Sequence, residues 1–395
     1  MSIIIGLLGL SLLLGISFLV SNDKKNVNFK AVAIMLAMQV AVTLLMLKTT
    51  VGMKVIEAVS NGFAKVMGFA SDGVAFVVGD LGGYGEGGVF FINVLMVIIF
   101  TATLLSILTH LKILPLAIKY IGGGLSKLTG LPKVETFNAV NSIFFGQSEA
   151  ILAIQSHLPK MDKNRLFMVS VSAMASVSAS IIGSYMLMIP AKYVLVAMIL
   201  NALSALIVTS IIAPVKVTGK EDEIDVKDMV QTKSVFEAIS VGALDGGKVA
   251  LIVGAMLVAY IALLAMFNAG FAFIFGIDLQ SIMGYIFAPI AWLMGIPANE
   301  MLTAGSIMGT KLVANEFIAM LQFQPLIETL SPKTVGILSA FLTSFAAFGS
   351  IGIIGGTFQA INGEKAKIVA KFGLKMLLVA TMASMVTAIM TGLAI

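Results

Sequence analysis

The sequence predicts an all-α integral membrane protein with eight transmembrane helices, two re-entrant hairpins in an inverted repeat, and one interfacial amphipathic helix. Composition is the first reason: 59% of the 395 residues are hydrophobic and 11% are charged, whereas a soluble domain has about 25% charged residues. The second reason is that apolar stretches of membrane-spanning length recur along the chain. The third is that two other apolar stretches are interrupted by Gly, Pro and polar residues.

Eight uninterrupted apolar stretches reach or approach the ~20 residues that a membrane-spanning helix needs. They cover residues 2–20, 31–47, 89–109, 166–190, 193–213, 249–276, 335–360 and 368–394. The first stretch has neither a basic region before it nor a clear cleavage site, so we interpret it as a transmembrane helix rather than a signal peptide. Residues 54–67 place Val55, Val59 and Phe63 on one helical face, which predicts a short helix along the outer interface.

The two interrupted stretches, at about 134–158 and 280–321, are predicted to be re-entrant hairpins that enter and leave the membrane on one side. Non-helical backbone at membrane depth is tolerated only within protein or beside a cavity. If the hairpins do not cross, most of the 25 basic residues fall on alternate loops, and the positive-inside rule then places both termini outside. A glycine-rich segment at 79–88 and a charged segment at 220–233 are predicted to be loops.

The order hairpin, basic loop, interrupted helix and helix occurs twice, at about 134–213 and 280–394. An odd number of crossings separates the hairpins, so the second enters from the opposite face, and a binding site is expected where the two halves meet. We predict four units. They are scaffold helices 1–3 with the interfacial helix at 1–133, the first repeat at 134–213, a cytoplasmic loop with the sixth helix at 214–276, and the second repeat at 277–395.

The interrupted helices are rich in hydroxyl-bearing and small residues, at 170–180 in the first repeat and 343–352 in the second. Small residues permit close packing of membrane helices, and serine can bond back to its own helix backbone. The alternative is that these segments unwind and free carbonyl groups for an ion or another ligand. The residues by themselves leave both interpretations open.

Two acidic residues lie within the predicted hairpins, each close to an amide side chain. Glu149 follows Gln147 by two residues, and Glu316 directly follows Asn315. A carboxylate at membrane depth costs roughly 2.5–3.5 kcal/mol on insertion scales, so it is seldom retained without a partner or a task. We predict that these side chains form two halves of one polar site. The alternative is that each carboxylate pairs with a nearby lysine, Lys311 above all, and only stabilises its hairpin.

The residues around both carboxylates resemble the motifs of concentrative nucleoside transporters. The family signature reads Gly/Ala-x-Lys-x-x-x-Asn-Glu-Phe-Val-Ala followed by Tyr, Met or Phe, and residues 309–320 differ from it only at Ile318. Residues 146–149, Gly-Gln-Ser-Glu, are similar to the Gly-Gln-Thr/Ser-Glu of the family's first hairpin. The resemblance extends over essentially the whole chain, in the eight-helix form typical of bacterial members.

The resemblance implies a homotrimer in which scaffold helices hold three transport domains, each with a nucleoside site. The implied contacts are Gln147, Ser148 and Glu149 with the nucleobase, Glu316 and Ser350 with the ribose, Ile181 and Phe345 flanking the base, and Asn315 beside Glu316. These residue types suit the ligand, because an amide offers both a donor and an acceptor and a carboxylate makes strong charge-assisted bonds to hydroxyls. One departure is Ala347, which stands where the family has a ribose-binding Asn.

The resemblance also implies a coupling-ion site, at which this sequence departs from the sodium-coupled members. Their Asn five residues before the hairpin Gln is Ser142 here, with Asn141 adjacent, and a carbonyl donor that is usually Val is Phe145. Ser176 and Val177 match the rest of that site. Because a buried carboxylate can carry a proton near neutral pH, the departures favour proton coupling, with sodium as the alternative.

We therefore predict a cation-coupled symporter that imports nucleosides across the bacterial plasma membrane. It is expected to be a multi-pass protein in contact with lipid, with no cofactor, no resident metal and no nucleic-acid partner. A second hypothesis is a membrane-embedded enzyme that uses Glu149 and Glu316 as an acid–base pair, but the chain has no Cys and only two distant His to act beside them. A third is an ion channel, which would not need two amide-flanked hairpins.

Overall fold

The computed structural model describes residues 2–79, 89–215, 229–230 and 232–395, and all regular secondary structure in these ranges is helical. The all-α membrane class is confirmed. The predicted loops at 79–88 and 220–233 lie largely outside the described residues. The α-helices are α1 (Ser2–Leu19), α2 (Phe29–Lys48), α3 (Thr50–Val78), α4 (Val97–His110), α5 (Ile113–Thr129), α6 (Lys133–Phe144), α7 (Gln147–Leu152), α8 (Lys163–Met174), α9 (Ala179–Met186), α10 (Ala191–Ile212), α11 (Val235–Phe275), α12 (Leu279–Leu293), α13 (Met301–Val313), α14 (Glu316–Phe323), α15 (Pro332–Leu342), α16 (Phe348–Ile361), α17 (Gly363–Ala370) and α18 (Gly373–Leu393).

Six helical segments of the described chain are long and apolar enough to cross a membrane. They are α2, a π-helical turn at Phe91–Leu95 continued by α4, α8 with α9, α10, α11 and α18. The other two predicted crossings correspond to α1, which is slightly short, and to α15 with α16, which are separated by a break in the helix. The number of crossings and the re-entrant course of the hairpins stay predictions.

Three segments differ from the sequence prediction. The helix predicted at 54–67 extends over Thr50–Val78, and much of its apolar surface is exposed. The basic loop predicted before residue 133 contains α5, in which apolar residues at helical spacing are buried while the lysines face outwards. The stretch predicted as one hairpin at 280–321 holds three helices, because a turn with Gly295 at φ 96° separates α12 from α13. The second predicted hairpin therefore corresponds to α13 with α14 rather than to the whole of 280–321.

Four interruptions of helical structure bring the polar residues of the chain together. They lie between α6 and α7, between α8 and α9, between α13 and α14, and between α15 and α16. The two long interrupted helices are α8 with α9 and α15 with α16. They contact each other at their breaks, where the Phe345 N–H donates a 2.9 Å hydrogen bond to the Ser176 carbonyl. Side chains cap two of the new helix starts: Ser178 accepts from Ser180 N–H, and Asn315 accepts from Ile318 N–H.

Helices α4 and α11 pack closely through two glycines of α11, Gly242 and Gly246. A Cβ atom built at Gly246 would lie 2.7 Å from the Ile99 Cα atom, and one at Gly242 would lie 2.7 Å from the Thr103 Cα atom. The spacing of four residues is the small-residue pattern that lets membrane helices approach each other. Most of the remaining surface of α11 is apolar and exposed. The close contact fixes where α11 runs past the polar residues.

Gly246→Val is expected to destabilise the protein, because the added side chain meets helix backbone that cannot move aside. Overpacking of this kind costs about 1–3 kcal/mol, so the unfolding temperature of the purified protein in detergent should fall by several degrees. Gly247→Val is the matched control, since a Cβ atom at Gly247 has no heavy atom within 4 Å. Equal unfolding temperatures for the two variants would contradict the packing described here.

Candidate functional site

A cavity of about 330 Å³ lies where the four helix breaks meet. It is lined by all eight residues that the sequence predicts as ligand contacts, namely Gln147, Ser148, Glu149, Ile181, Asn315, Glu316, Phe345 and Ser350. Apolar residues of α11, among them Val249, Val253 and Met256, form a further wall. The cavity thus has polar groups from both repeats on some sides and an apolar scaffold helix on another. Its volume lies at the lower end of the range for small-molecule sites.

Three helices of eight or more residues begin at this cavity: α9, α14 and α16. A helix start carries unpaired N–H groups and a partial positive charge. Glu149 and Glu316 each lie in the first turn of a helix that begins at the cavity. A negative charge is favoured there, which reduces the cost of keeping carboxylates at membrane depth.

Glu316 is held by a tyrosine from the other repeat. Its side chain is buried, and its Oε1 atom accepts a 2.8 Å hydrogen bond from the Tyr185 hydroxyl. Tyr185 is fully buried, and its ring packs edge-on against Phe317 with 5.0 Å between centroids. The sequence analysis missed Tyr185, although it lies one helical turn after Ile181 and therefore on the same face of α9. The Glu316 carboxylate thus lies in the cavity lining while the tyrosine fixes its orientation.

Lys311 does not pair with a carboxylate. Its ammonium group donates to the Phe341 carbonyl at 2.5 Å and to the Ser344 hydroxyl at 2.6 Å, and it lies 4.2 Å from the centroid of the Phe341 ring. In the part of the chain that the structure describes, no acidic side chain lies within 4.0 Å of this ammonium group. The lysine thus binds α15 rather than Glu316, which does not support the alternative that Glu316 serves only as its ion-pair partner.

The first hairpin meets α16 through two hydrogen bonds. The Gln147 Nε2 group donates to the Ser350 hydroxyl at 2.8 Å, and the hydroxyls of Ser148 and Thr357 lie 2.8 Å apart. Gln147 Oε1 is buried and has no partner within the described residues. Glu149 is exposed to the cavity. The first hairpin therefore offers a free amide acceptor and a carboxylate that faces the cavity from its own helix start, while its amide donor is already engaged.

Two of the predicted ion residues, Ser176 and Val177, lie in the break between α8 and α9, and the other three lie at the end of α6. Both serine hydroxyls are directed into their own helices. Ser142 donates to the Asn138 carbonyl at 2.7 Å, and Ser176 donates to the Ala173 carbonyl at 2.9 Å. Asn141 differs, because its Oδ1 atom is buried without a hydrogen-bond partner among the described residues. Val177 is buried and Phe145 lies beside the hairpin tip. The described residues contain no cluster of three or more His, Cys, Asp or Glu side chains.

A second cavity of about 270 Å³ adjoins the first and shares Gly146, Glu149, Ser178 and Ser180 with it. It is also lined by Met229, Val230 and Thr232, which are described residues of the charged segment, and by Asp245 of α11. Thr232 is held by His110, whose Nδ1 atom lies 2.8 Å from the threonine hydroxyl. The two cavities therefore meet at the Glu149 side chain.

Tyr185→Phe is expected to destabilise the protein and to weaken its response to ligand, because a buried Glu316 oxygen loses its donor. A hydrogen bond to a charged group contributes about 1.5–3 kcal/mol, so the unfolding temperature should fall. Tyr193→Phe serves as the control, since Tyr193 is buried on α10 and packs beside Gly336 away from the cavity. If both variants unfold at the wild-type temperature, the Tyr185–Glu316 hydrogen bond contributes nothing to the stability of the protein.

A many-helix membrane fold with a cavity lined by polar groups at helix breaks is typical of a solute transporter, and comparison with known proteins gives the family. Three family models match along the chain: "Na+ dependent nucleoside transporter N-terminus" at residues 8–81, "Nucleoside recognition" at 91–192, and "Na+ dependent nucleoside transporter C-terminus" at 193–392. The purine nucleoside transport protein NupG of Bacillus subtilis (strain 168) is 36% identical over 395 residues, covering 100% of this chain and 99% of NupG.

Solved structures of a protein named CNTnw are similar over the whole chain. Its inward-facing substrate-bound state has a TM-score of 0.94 at 32% identity and covers 100% of this chain and 99% of that one. An outward-facing state of a CNTnw variant also has a TM-score of 0.94 at 32% identity, with 100% and 98% covered. The chain belongs to the concentrative nucleoside transporter family, which confirms the resemblance of the sequence motifs. The matched relatives are transporters rather than enzymes.

Proposed function

We propose that this protein is a cation-coupled nucleoside importer of the bacterial plasma membrane and that the 330 Å³ cavity is its nucleoside site. One observation carries the proposal: eight residues from four separate helix breaks, chosen from sequence motifs, line a single cavity. A nucleoside presents a flat base with donors and acceptors on its edge and a ribose with vicinal hydroxyls. The cavity offers a matching division between amide and carboxylate groups and apolar walls.

In this proposal the first hairpin binds the base and the second binds the ribose. Gln147 uses its free carbonyl oxygen, and Glu149 its exposed carboxylate, to accept hydrogen bonds from the base edge. Ser148 contributes its hydroxyl from the same helical turn. Ile181 and Phe345 enclose the faces of the ring. These contacts would select a planar heterocycle over a solute of similar size without ring donors.

Glu316 is the proposed ribose anchor. Tyr185 occupies one carboxylate oxygen, so the other accepts from a ribose hydroxyl in a charge-assisted hydrogen bond. Asn315 caps α14 and thereby fixes the helix start on which Glu316 stands. Ser350 supplies a hydroxyl from the second repeat, at present bonded to Gln147.

The transport cycle in this proposal moves the two repeats relative to the scaffold. The repeats at 134–213 and 277–395 form the transport domain, while residues 1–133 and 214–276 supply the scaffold helices, loop and interfacial helix. Two re-entrant hairpins close the site from opposite faces, and both termini lie outside. We also propose a homotrimer, which the exposed apolar surface of α11 supports because this surface must be covered by lipid or by other copies.

Two different observations bear on the coupling ion. Ser142 replaces an amide and spends its hydroxyl proton on its own helix, which favours proton coupling through Glu149 or Glu316. The Asn141 side-chain oxygen, which is buried and has no hydrogen-bond partner among the described residues, favours sodium instead, because sodium needs several oxygen ligands at once. The family models carry the description "Na+ dependent". We propose proton coupling from the sequence departure and keep sodium as the second candidate.

The decisive measurement is uptake of labelled uridine and adenosine by proteoliposomes. An inward proton gradient without sodium should drive accumulation if the proton is the coupling ion, and a protonophore should abolish it. Accumulation under a sodium gradient at equal pH, unaffected by the protonophore, would reject the proton and support sodium. Absence of uptake under both gradients, with a protein that is monodisperse, would contradict nucleoside import.

Glu316→Gln is expected to reduce nucleoside transport at least tenfold, because the amide keeps the side-chain shape but loses the charge-assisted bond, which contributes about 1.5–3 kcal/mol. The control is Glu328→Gln, an exposed carboxylate near the end of the second hairpin. A related expectation concerns competition in the wild-type protein. There, 2′,3′-dideoxynucleosides should compete poorly with labelled uridine, because the Glu316 carboxylate then faces no ribose hydroxyl. Wild-type rates for Glu316→Gln would remove Glu316 from the site.

A further inference from the structure

The hairpin tip and the interrupted helix recur at a constant distance along the chain. The corresponding helix starts are Gln147 and Glu316 for α7 and α14, Lys163 and Pro332 for α8 and α15, and Ala179 and Phe348 for α9 and α16. The members of each pair are 169 positions apart. The two halves therefore match residue by residue, without insertion or deletion, from the hairpin to the second part of the broken helix.

This correspondence pairs Lys311 with Ser142. Each lies five residues before the first residue of the short helix that follows the hairpin tip, at Glu316 and Gln147. Ser142 belongs to the proposed ion site of the first repeat. The same structural position thus carries a hydroxyl at a proposed cation site in one half and a cationic side chain in the other.

The Lys311 ammonium is coordinated as a cation would be. Lys311 has no solvent exposure, and its ligands are the Phe341 carbonyl, the Ser344 hydroxyl and the face of the Phe341 ring. The carbonyl belongs to the last turn of α15, where a helix carries partial negative charge. Carbonyl and hydroxyl oxygens are also the ligands that hard metal cations take. The charge is therefore compensated by helix-break oxygens, with the Glu316 carboxylate as a further electrostatic partner beyond ion-pair distance.

The corresponding helices of the first repeat, α6 and α8, rise together in register. Arg165 forms a 2.5 Å ion pair with Glu135 at the start of both helices. One turn later, Asn138 Nδ2 donates to the Val169 carbonyl at 3.1 Å. The turns that follow must therefore also lie side by side.

The next turns of α6 and α8 contain side-chain oxygen atoms that have no hydrogen-bond partner among the described residues. By the 169-residue correspondence, Ser142 and Ser172 stand at the positions that Lys311 and Phe341 occupy in the second repeat. The Ser172 hydroxyl and Asn141 Oδ1 are both buried and make no hydrogen bond within the described residues. The first half thus has unsatisfied oxygens at the place where the second half has an ammonium group.

We infer that Lys311 is a tethered cation that permanently occupies, in the second repeat, the position equivalent to Ser142 of the first. The inference rests on the second candidate of the proposed function, a sodium ion bound near Ser142 and Asn141. The inverted repeat supplies two equivalent cation positions, one at each break. The first takes a mobile cation during transport, whereas the second is occupied by a group that cannot leave. One transported cation per nucleoside follows, because the other position is never vacant.

The test is to empty the second position and measure whether sodium refills it. Lys311→Ser reproduces the residue at position 142 and leaves oxygen ligands, including the partnerless Thr310 hydroxyl, counterpart of Asn141. Lys311→Met removes the charge but fills the space with an apolar side chain, and is the matched control. Unfolding temperature and uridine binding are measured for both variants and the wild type across a sodium series, with choline holding ionic strength and pH constant.

Lys311→Ser is expected to be less stable than the wild type in choline and to recover with sodium. Its sodium dependence should be steeper than that of the wild type by one ion per chain, while Lys311→Met stays destabilised at every sodium concentration. The reciprocal variant Ser142→Lys should bind uridine with no dependence on the coupling ion. If sodium changes neither the unfolding temperature nor the uridine binding of the wild type, sodium coupling is rejected. The comparison of Lys311→Ser with Lys311→Met still tests the role of Lys311 in that case.

Identical sodium responses of Lys311→Ser and Lys311→Met would overturn the inference, because the position would then accept no mobile cation. A Lys311→Ser protein that is monodisperse in neither the choline nor the sodium buffer would also overturn the inference. Sodium should bind at a true cation position and restore the fold. A Lys311→Ser protein with wild-type stability in choline would show that the ammonium fills no site that needs a cation.

Discussion

The hydrogen bond from the Phe345 N–H to the Ser176 carbonyl joins two helix breaks at membrane depth, and the rest of the site depends on it. Backbone groups that leave a helix inside a bilayer must find partners within the protein. Here each broken helix supplies a partner for the other, so neither break could persist alone. Asn201 adds a second support, because its side chain donates to the Thr343 carbonyl in the same break. Polar groups can therefore face a cavity without exposing peptide groups to lipid.

Cross-repeat contacts make the two halves one unit. Gln147 of the first hairpin bonds Ser350 of the second repeat, and Glu316 of the second hairpin bonds Tyr185 of the first. Each hairpin tip is thus held by the broken helix of the opposite half. Both bonds are buried, and Gln147, Ser350 and Glu316 all line the cavity. The residues that hold the two halves together are therefore also the residues that face a ligand.

The sequence identified the hairpin tips because Gly, Asn, Gln and Glu in apolar stretches have few explanations in a membrane. The family resemblance supplied the remaining contacts, Ile181, Phe345 and Ser350, and all eight predicted contacts line one cavity. The sequence did not identify α5, whose lysines hide a periodic apolar face, nor the division of 280–321 into three helices. Tyr185 and the partners of Lys311 were also beyond its reach, since both depend on which helices pack together over more than twenty residues of separation. Local sequence patterns predict that a buried polar residue needs a hydrogen-bond partner, whereas the packing of the helices determines which residue supplies it.

The start of α16 carries one more consequence. Ser178 and Asn315 cap the helices that begin at two of the other breaks, but Ala347 stands at the N-cap of α16 and has no side chain that can accept from its first turn. An alanine in that position costs about 1 kcal/mol relative to a capping residue. An oxygen atom of an incoming ligand can occupy the place that the protein leaves open. The solute would then complete a secondary-structure element of its own carrier, so that loading the site and stiffening α16 become a single event.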